Sequence, residues 1–300
     1  MVTRNGVLRY GFTKRNRPHK QPNKRGETTV IDLASISKSS PRKPRIVIYG
    51  PSGIGKTTFA SCAPNPIFIL TEDGLGDIEV ARLPMSEEGS ENPPIATSFQ
   101  EVLDYLGALG EQEHNFKTVV IDSLDWLEAL VWEATCKRCG AASIEDIGGG
   151  YGKGYIATDV EWKEFFDALT YLRDVKGMYV IMIAHGAIVN IKDPVRPSYD
   201  MHDLKLNKRA SAKAVEFADV VGFASLKILL TTEKEAFEKV RNRAILVSED
   251  HVLHLAGAAS YVAKNRYHMP DEIPLDWTEF EKYLPGYVPP EEQTSVTGGN

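Results

Sequence analysis

The chain has 300 residues, 42% of them apolar and 25% charged, with a net charge of −6 at pH 7. That is enough apolar content for a buried core, with no run of about 18 apolar residues to span a bilayer and no N-terminal apolar segment to read as a secretory signal. Three cysteines, Cys62, Cys136 and Cys139, are too few for a disulfide framework and fit a reducing cytoplasm.

The charge is uneven. Eight of the 35 Lys and Arg fall in residues 1–26, which hold no acid, leaving 27 against all 41 Asp and Glu. A basic segment on an acidic body is either an arm for a polyanion or a solvated, disordered terminus. Residues 1–42 as a whole are rich in Arg, Lys, Asn, Pro and Ser and read as disordered, with room for a short strand at TTVIDL. From Arg45 onward strands and helices alternate. RIVIYG is a buried strand and GKTTFASC the helix after it; IFILT is a second strand; Ser86 to Pro94 is a polar loop. Ser98 to Gly110 has helical periodicity with Ser98 as N-cap. KTVVID is a third strand and SLDWLEALVWEATCK a helix, followed by the glycine-rich GGGYGKGY, an amphipathic helix over Asp159–Val175 and a fourth strand, MYVIMIA. Near-continuous apolar strands separated by helices predict a parallel sheet covered on both faces. After Asp219 short strands such as RAILVS and HVLHLA, with a turn at EDH, predict a short antiparallel extension, and residues 286–300 form a polar tail.

The first strand runs into GPSGIGKTT: Gly50, Pro51, Ser52, Gly53, Ile54, Gly55, Lys56, Thr57 and Thr58. Strand before and helix after is the context in which G-x-x-x-x-G-K-[ST] binds ATP. Glycines let the backbone wrap the phosphates, whose charge is met by successive N–H groups and the helix N-terminus. Lys56 reaches the β/γ-phosphates and Thr57 ligates Mg2+. The metal needs an acid at a neighbouring strand end, and KTVVID supplies Asp122. Ser123 stands where many P-loop ATPases place a Glu to position the attacking water, which departs from the usual AAA+ arrangement. The alternative is an acid after the second strand, where IFILTE offers Glu72, with Asp73 as its competitor. His185, at the tip of MYVIMIA, would lie beside the γ-phosphate. Cys136 and Cys139 form a single C-x-x-C without the second pair that four-ligand zinc requires.

These pieces in this order resemble a RecA-like P-loop NTPase core of the α/β class. The Asp-Ser pair in VVIDSLDWL resembles the metal-binding strand of that family. By the same resemblance Glu72 is the catalytic acid, and His185 falls where the recombinases carry a Gln that couples ATP state to DNA. VAKNRYHMP resembles the Lys-x-Arg segment of hexameric replicative helicases, which makes Lys264 and Arg266 cations acting on a neighbouring subunit's ATP; Lys205, Lys208 and Arg209 in LKLNKRASAK are a solvated helix face or compete for that role. Over residues 42–284 the chain is most similar to bacteriophage RecA-like ATPases of single-strand annealing and recombination, which work with a single-stranded DNA-binding protein. That resemblance puts the ATPase domain at residues 43–285 and two mobile DNA-facing loops at about 140–155 and 186–204. The first carries Tyr151, Lys153 and Tyr155, the second Lys192, Arg196 and Tyr199; Lys and Arg neutralise phosphates and Tyr stacks on unpaired bases. The expectation is an ATPase, oligomeric as a ring or filament, that anneals or exchanges single-stranded DNA. A DNA-unwinding or packaging motor and a nucleotide-gated DNA-binding module without significant turnover are the alternatives.

Overall fold

The computed structural model describes residues 40–85, 94–195, 197–234 and 240–289, with backbone alone in 228–249. The proposed arm and its TTVIDL strand, most of the 86–94 loop, Arg196 and nearly all of the polar tail lie outside the described residues. From Arg42 on the chain is one compact unit.

In chain order the elements are β1 (Arg45–Gly50), α1 (Lys56–Ser61), β2 (Pro66–Leu70), β3 (Ala81–Leu83), α2 (Phe99–Glu111), β4 (Thr118–Asp122), α3 (Leu124–Cys139), α4 (Lys153–Ala157), α5 (Asp159–Asp174), β5 (Tyr179–Ile191), β6 (Tyr199–Leu204), α6 (Lys208–Phe217), β7 (Val220–Lys234), β8 (Val240–His254), β9 (Lys264–Asn265), β10 (Glu272–Pro274) and α7 (Trp277–Glu281). One sheet runs β10-β8-β7-β1-β5-β4-β2-β3, with β6 on β5 and β9 on β7. From β7 to β3 all neighbours are parallel; β8 on β7, β10 on β8, β9 on β7 and β6 on β5 are antiparallel.

The apolar strands are continuous because both faces are covered. Alternate residues of one strand enter different cores: Val47 and Tyr49 of β1 pack with α2, α3, α5 and α6 through Phe99, Leu127, Phe165 and Ala214. Ile46 and Ile48 pack on the other side with Phe59 of α1 and Trp277 and Phe280 of α7. Each such buried side chain contributes roughly 1.5–3 kcal/mol. Helix starts follow local chemistry: the Ser98 hydroxyl accepts from the Glu101 N–H at 3.2 Å at the head of α2, and Gly140, left-handed at φ 65, ends α3.

Three differences from the sequence reading have physical causes. The turn at EDH is absent: β8 is one strand, and the irregularity there is a bulge, the pairing with β7 passing from Leu226↔His251 to Ile228↔Leu246. The antiparallel extension is correspondingly long, with β7 and β8 of 15 residues each. The strand MYVIMIA does not stop at Ala184: β5 continues through AHGAIVNI, and Gly186–Ile191 pairs antiparallel with β6. What was expected as a second mobile loop is therefore mostly a β-hairpin. The first expected loop is also folded. A 3-10 turn over Ile144–Gly149 precedes α4, and a Cβ on Gly154 would sit 1.7 Å from the Ile144 carbonyl oxygen, so only glycine lets α4 pack there.

Candidate nucleotide-binding site

The parallel strands β1, β4 and β2 point their C-terminal ends the same way, and the loops leaving them meet in a cleft of about 240 Å³. Its lining includes Ser52, Gly53, Gly55, Lys56, Thr57 and Thr58 from the loop and α1, Glu72 and Asp73 after β2, Asp122 at the end of β4 and His185 on β5. The residues expected at the nucleotide thus converge. Gly53 and Gly55 are left-handed, at φ 75 and 100. Gly50 is needed for close approach, since a Cβ there would lie 2.3 Å from the Ala224 carbonyl oxygen on β7.

Lys56 is buried, and its Nζ donates to the Gly50 and Pro51 carbonyl oxygens at 3.2 and 2.8 Å. Burial lowers its basicity against the pull of Asp122, Glu72 and Asp125. The Thr57 hydroxyl donates to Asp122 Oδ2 at 2.9 Å. Burial pushes Asp122 up to about 6; the Thr57 hydrogen bond, Lys56 and His185 oppose the rise and the Glu72 charge adds to it. A cation short of negative charge and a carboxylate short of positive charge thus face one cleft. A nucleotide phosphate beside Lys56 and Mg2+ beside Thr57 and Asp122 would supply what each lacks, so these residues fit the ligand pair that the loop implies.

Sequence reasoning missed two residues that build this site. Thr71, buried, stitches the ends of β2 and β4 together: its N–H donates to the Asp122 carbonyl oxygen at 2.8 Å. Its hydroxyl donates to the Ser123 carbonyl oxygen at 2.7 Å and accepts from the Ser123 N–H at 2.8 Å. This fixes Glu72, the next residue, beside Asp122. Asp125, in the first turn of α3, accepts from both the His185 N–H and Nδ1, each at 2.9 Å. Glu72 Oε1 lies 3.8 Å from the same Nδ1. The one sequence signal for Asp125 was its place in IDSLD, a short step past a strand tip.

The remaining candidates lie elsewhere. Lys264 Nζ donates to the carbonyl oxygens of Val215, Glu216 and Ala218 at 2.9, 3.2 and 2.8 Å, which closes the C-terminal end of α6 in its own chain. This ties up the ammonium expected to reach a neighbour. Arg266, 53% exposed, pairs with Asp219 at 3.0 Å. Asp219 also receives the N–H and guanidinium of Arg45, the first residue of β1. Arg266 therefore stands at the end of the sheet opposite its own phosphate loop. Arg209 is paired with Asp159 in the same chain, while Lys205 and Lys208 are exposed. In the 140–155 segment Tyr151 is 97% exposed, Lys153 Nζ donates to the Gly148 carbonyl oxygen at 3.0 Å and the Tyr155 ring packs edge-on against Trp132. On the hairpin Lys192 is exposed and Tyr199 half-buried. Among the described residues no cluster of three His, Cys, Asp or Glu could hold a metal, Cys136 and Cys139 included, and no helix is long and apolar enough to cross a membrane.

Loop, cradle and paired charges define a P-loop NTPase domain. The chain belongs to the family described as AAA domain, which matches residues 42–267. No curated protein matches. Among solved structures the chain is similar to the crystal structure of the RadB recombinase at 15% identity and a TM-score of 0.36, over 70% of this chain and 90% of that one; a likeness that loose transfers no residue or role. The fold class is the one expected as far as an α/β P-loop NTPase core with a mostly parallel sheet, flanking helices and antiparallel strands toward the C-terminus. Ser123 is fully buried and does not line the cleft, whereas Glu72 and Asp73 both do.

Proposed function

We propose that the chain is an Mg2+-dependent ATPase that binds single-stranded DNA and promotes its annealing or exchange, with ATP held between subunits of a ring or filament. The observation that carries this reading is the continuity of β5, which places His185 in the nucleotide cleft and then becomes the hairpin bearing Lys192 and Tyr199. A change at the cleft thereby has a direct covalent and hydrogen-bonded route to a surface with the chemistry to hold phosphates and stack bases.

In this reading Lys56 and the Gly53–Gly55 backbone bind phosphates, and Thr57 and Asp122 hold the metal. Mg2+ when bound supplies the charge that neutralises the transferring phosphoryl group. Glu72 orients the attacking water and takes its proton, and His185 senses the γ-phosphate. Arg266 is the cation offered to the neighbouring subunit's nucleotide, a role supported by its place at the sheet end away from its own loop. Lys264, held at α6, serves that segment by anchoring it. The 140–155 segment, through Tyr151 and Lys153, and the hairpin contact DNA, with Arg196 and the basic residues of 1–42 adding to phosphate binding. The resemblance to bacteriophage annealing proteins supports a single-stranded DNA-binding protein as partner, the cytoplasm of a bacterial host as the place of action and residues 43–285 as the ATPase domain.

The test is steady-state ATP hydrolysis without DNA, with single strands and with duplex, beside annealing of complementary oligonucleotides. Stimulation by single strands with faster annealing is expected. Duplex unwinding without annealing would make the protein a motor instead. Nucleotide-dependent DNA binding with negligible turnover would make it a switchable binding module.

A further inference from the structure

The β5–β6 hairpin has two feet. It leaves the main sheet at His185 and returns through Lys205 to Asn207, the N-cap of α6. The Lys205 N–H donates to the His185 carbonyl oxygen at 2.8 Å, which closes the base. Both feet are also gripped by α3. At the outgoing foot the two oxygens of Asp125, a side chain 5% exposed, take the N–H and Nδ1 of His185. An ionised carboxylate only accepts, so Nδ1 carries the proton and Nε2 is the ring nitrogen left over. At the returning foot the two oxygens of buried Glu128 share the Asn207 N–H, at 3.1 and 2.9 Å.

Asp125 and Glu128 are three residues apart on a helix and so project from one face. That helix starts at Leu124, directly after Asp122 and the Ser123 that Thr71 ties to β2. We infer that Asp125 and Glu128 are positioning residues that lock both feet of the hairpin to the helix leaving the Asp122 strand, so that the hairpin's setting follows the occupant of the nucleotide cleft. The inference rests on the proposed role of His185 beside the γ-phosphate. The cost of Glu128 supports it. Burial pushes its carboxyl up to about 7, with only the Asn207 N–H in opposition and the Asp125 charge adding to the rise. Ionising so buried an acid costs stability that a neutral amide in the same place would not.

Hydrogen exchange of the backbone amides of residues 186–204 tests this in the full chain, with ADP and Mg2+ and with a non-hydrolysable ATP analogue and Mg2+. The analogue is expected to slow exchange about tenfold relative to ADP in the wild type. Asp125→Asn and Glu128→Leu should each lose most of that difference, and Glu128→Leu, which lies outside the cleft, should do so with analogue affinity within about threefold of wild type. If both variants keep the full difference, the clamp is overturned and the sensing role of His185 stands. A wild type that does not distinguish the two nucleotides overturns the sensing role and the clamp with it. Should Glu128→Leu fail to fold, the ring 15N shifts of His185 decide: the clamp requires an Nδ1–H tautomer in the wild type that moves to Nε2–H in Asp125→Asn. An Nε2–H ring in the wild type sinks the inference.

Discussion

The two ends of the central sheet handle charge in opposite ways. At the phosphate-loop end Lys56 is buried and held below its ordinary range, while Asp122 is pushed up to about 6. At the other end burial alone would raise Asp219, but the Arg45 guanidinium and N–H, with Arg173, outweigh it and hold the carboxyl below its ordinary range. One end is left short of counter-charge and the other is satisfied within the chain. The difference separates a place built to receive a charged ligand from an ion cluster built to join β1 to β7, although both are rich in the same residue types.

Breaking each end should therefore show in different measurements. Lys56→Ala is expected to lower ATP turnover by about a thousandfold or more, read by phosphate release, with folding stability unchanged or improved, since a buried cation is removed. Asp219→Asn should do the reverse, costing about 4 kcal/mol in denaturant unfolding because the buried guanidinium groups lose their partner. A substituted protein with wild-type stability would remove the structural role of Asp219.

The third break uses pH. Glu128 keeps its proton in the native state up to about 7, whereas its ordinary value is 4.5. Between those values the unfolded chain has released a proton that the native protein retains, so stability falls as pH rises through the window and stays low above it. The loss is on the order of 3 kcal/mol, and Asp122, also raised, acts in the same direction. Glu128→Gln should flatten the decline of unfolding free energy between about pH 4.5 and 7. A profile as steep as the wild type would show that Glu128 ionises normally.

Smaller effects sharpen the contrast. Arg266→Ala should reduce turnover roughly ten- to a hundredfold with nucleotide affinity intact, and mixing it with Lys56→Ala subunits should restore part of the activity if the cation works across an interface. Tyr151→Ala should weaken single-strand binding by about 1 kcal/mol, read by fluorescence anisotropy, without moving the unfolding midpoint. Unchanged affinity would return Tyr151 to ordinary surface.

How much of this the sequence carried depended on range. The phosphate loop was legible because Gly50–Thr58 is contiguous and its glycines answer a backbone demand. Asp122, Glu72 and His185 were legible because each sits at the end of an apolar strand, and strand ends in a parallel sheet share an edge. Thr71, Asp125 and Glu128 act through pairings made only when α3 and the ends of β2, β4 and β5 come together, and no short pattern encodes those. The hairpin was hidden by its own composition: His185-Gly186 interrupts the apolar run of β5 as a strand end would, and Ala187-Ile188-Val189 continues the strand outside the core, with Ile188 67% exposed. Lys264 and Arg266 read alike as cations two residues apart, and only the end of α6 on one side and Asp219 on the other distinguishes them.

The unbroken course of β5 has a mechanical consequence. Tyr179 to His185 is braced by a parallel strand on each side over most of its length, whereas Gly186–Ile191 has β6 as its named partner. Six residues of strand span about 20 Å, so the free part is a lever with its fulcrum at His185. A tilt of about 5° there sweeps the tip through roughly 2 Å, enough to make or break a contact on an unpaired base while hardly disturbing the core that holds the short arm.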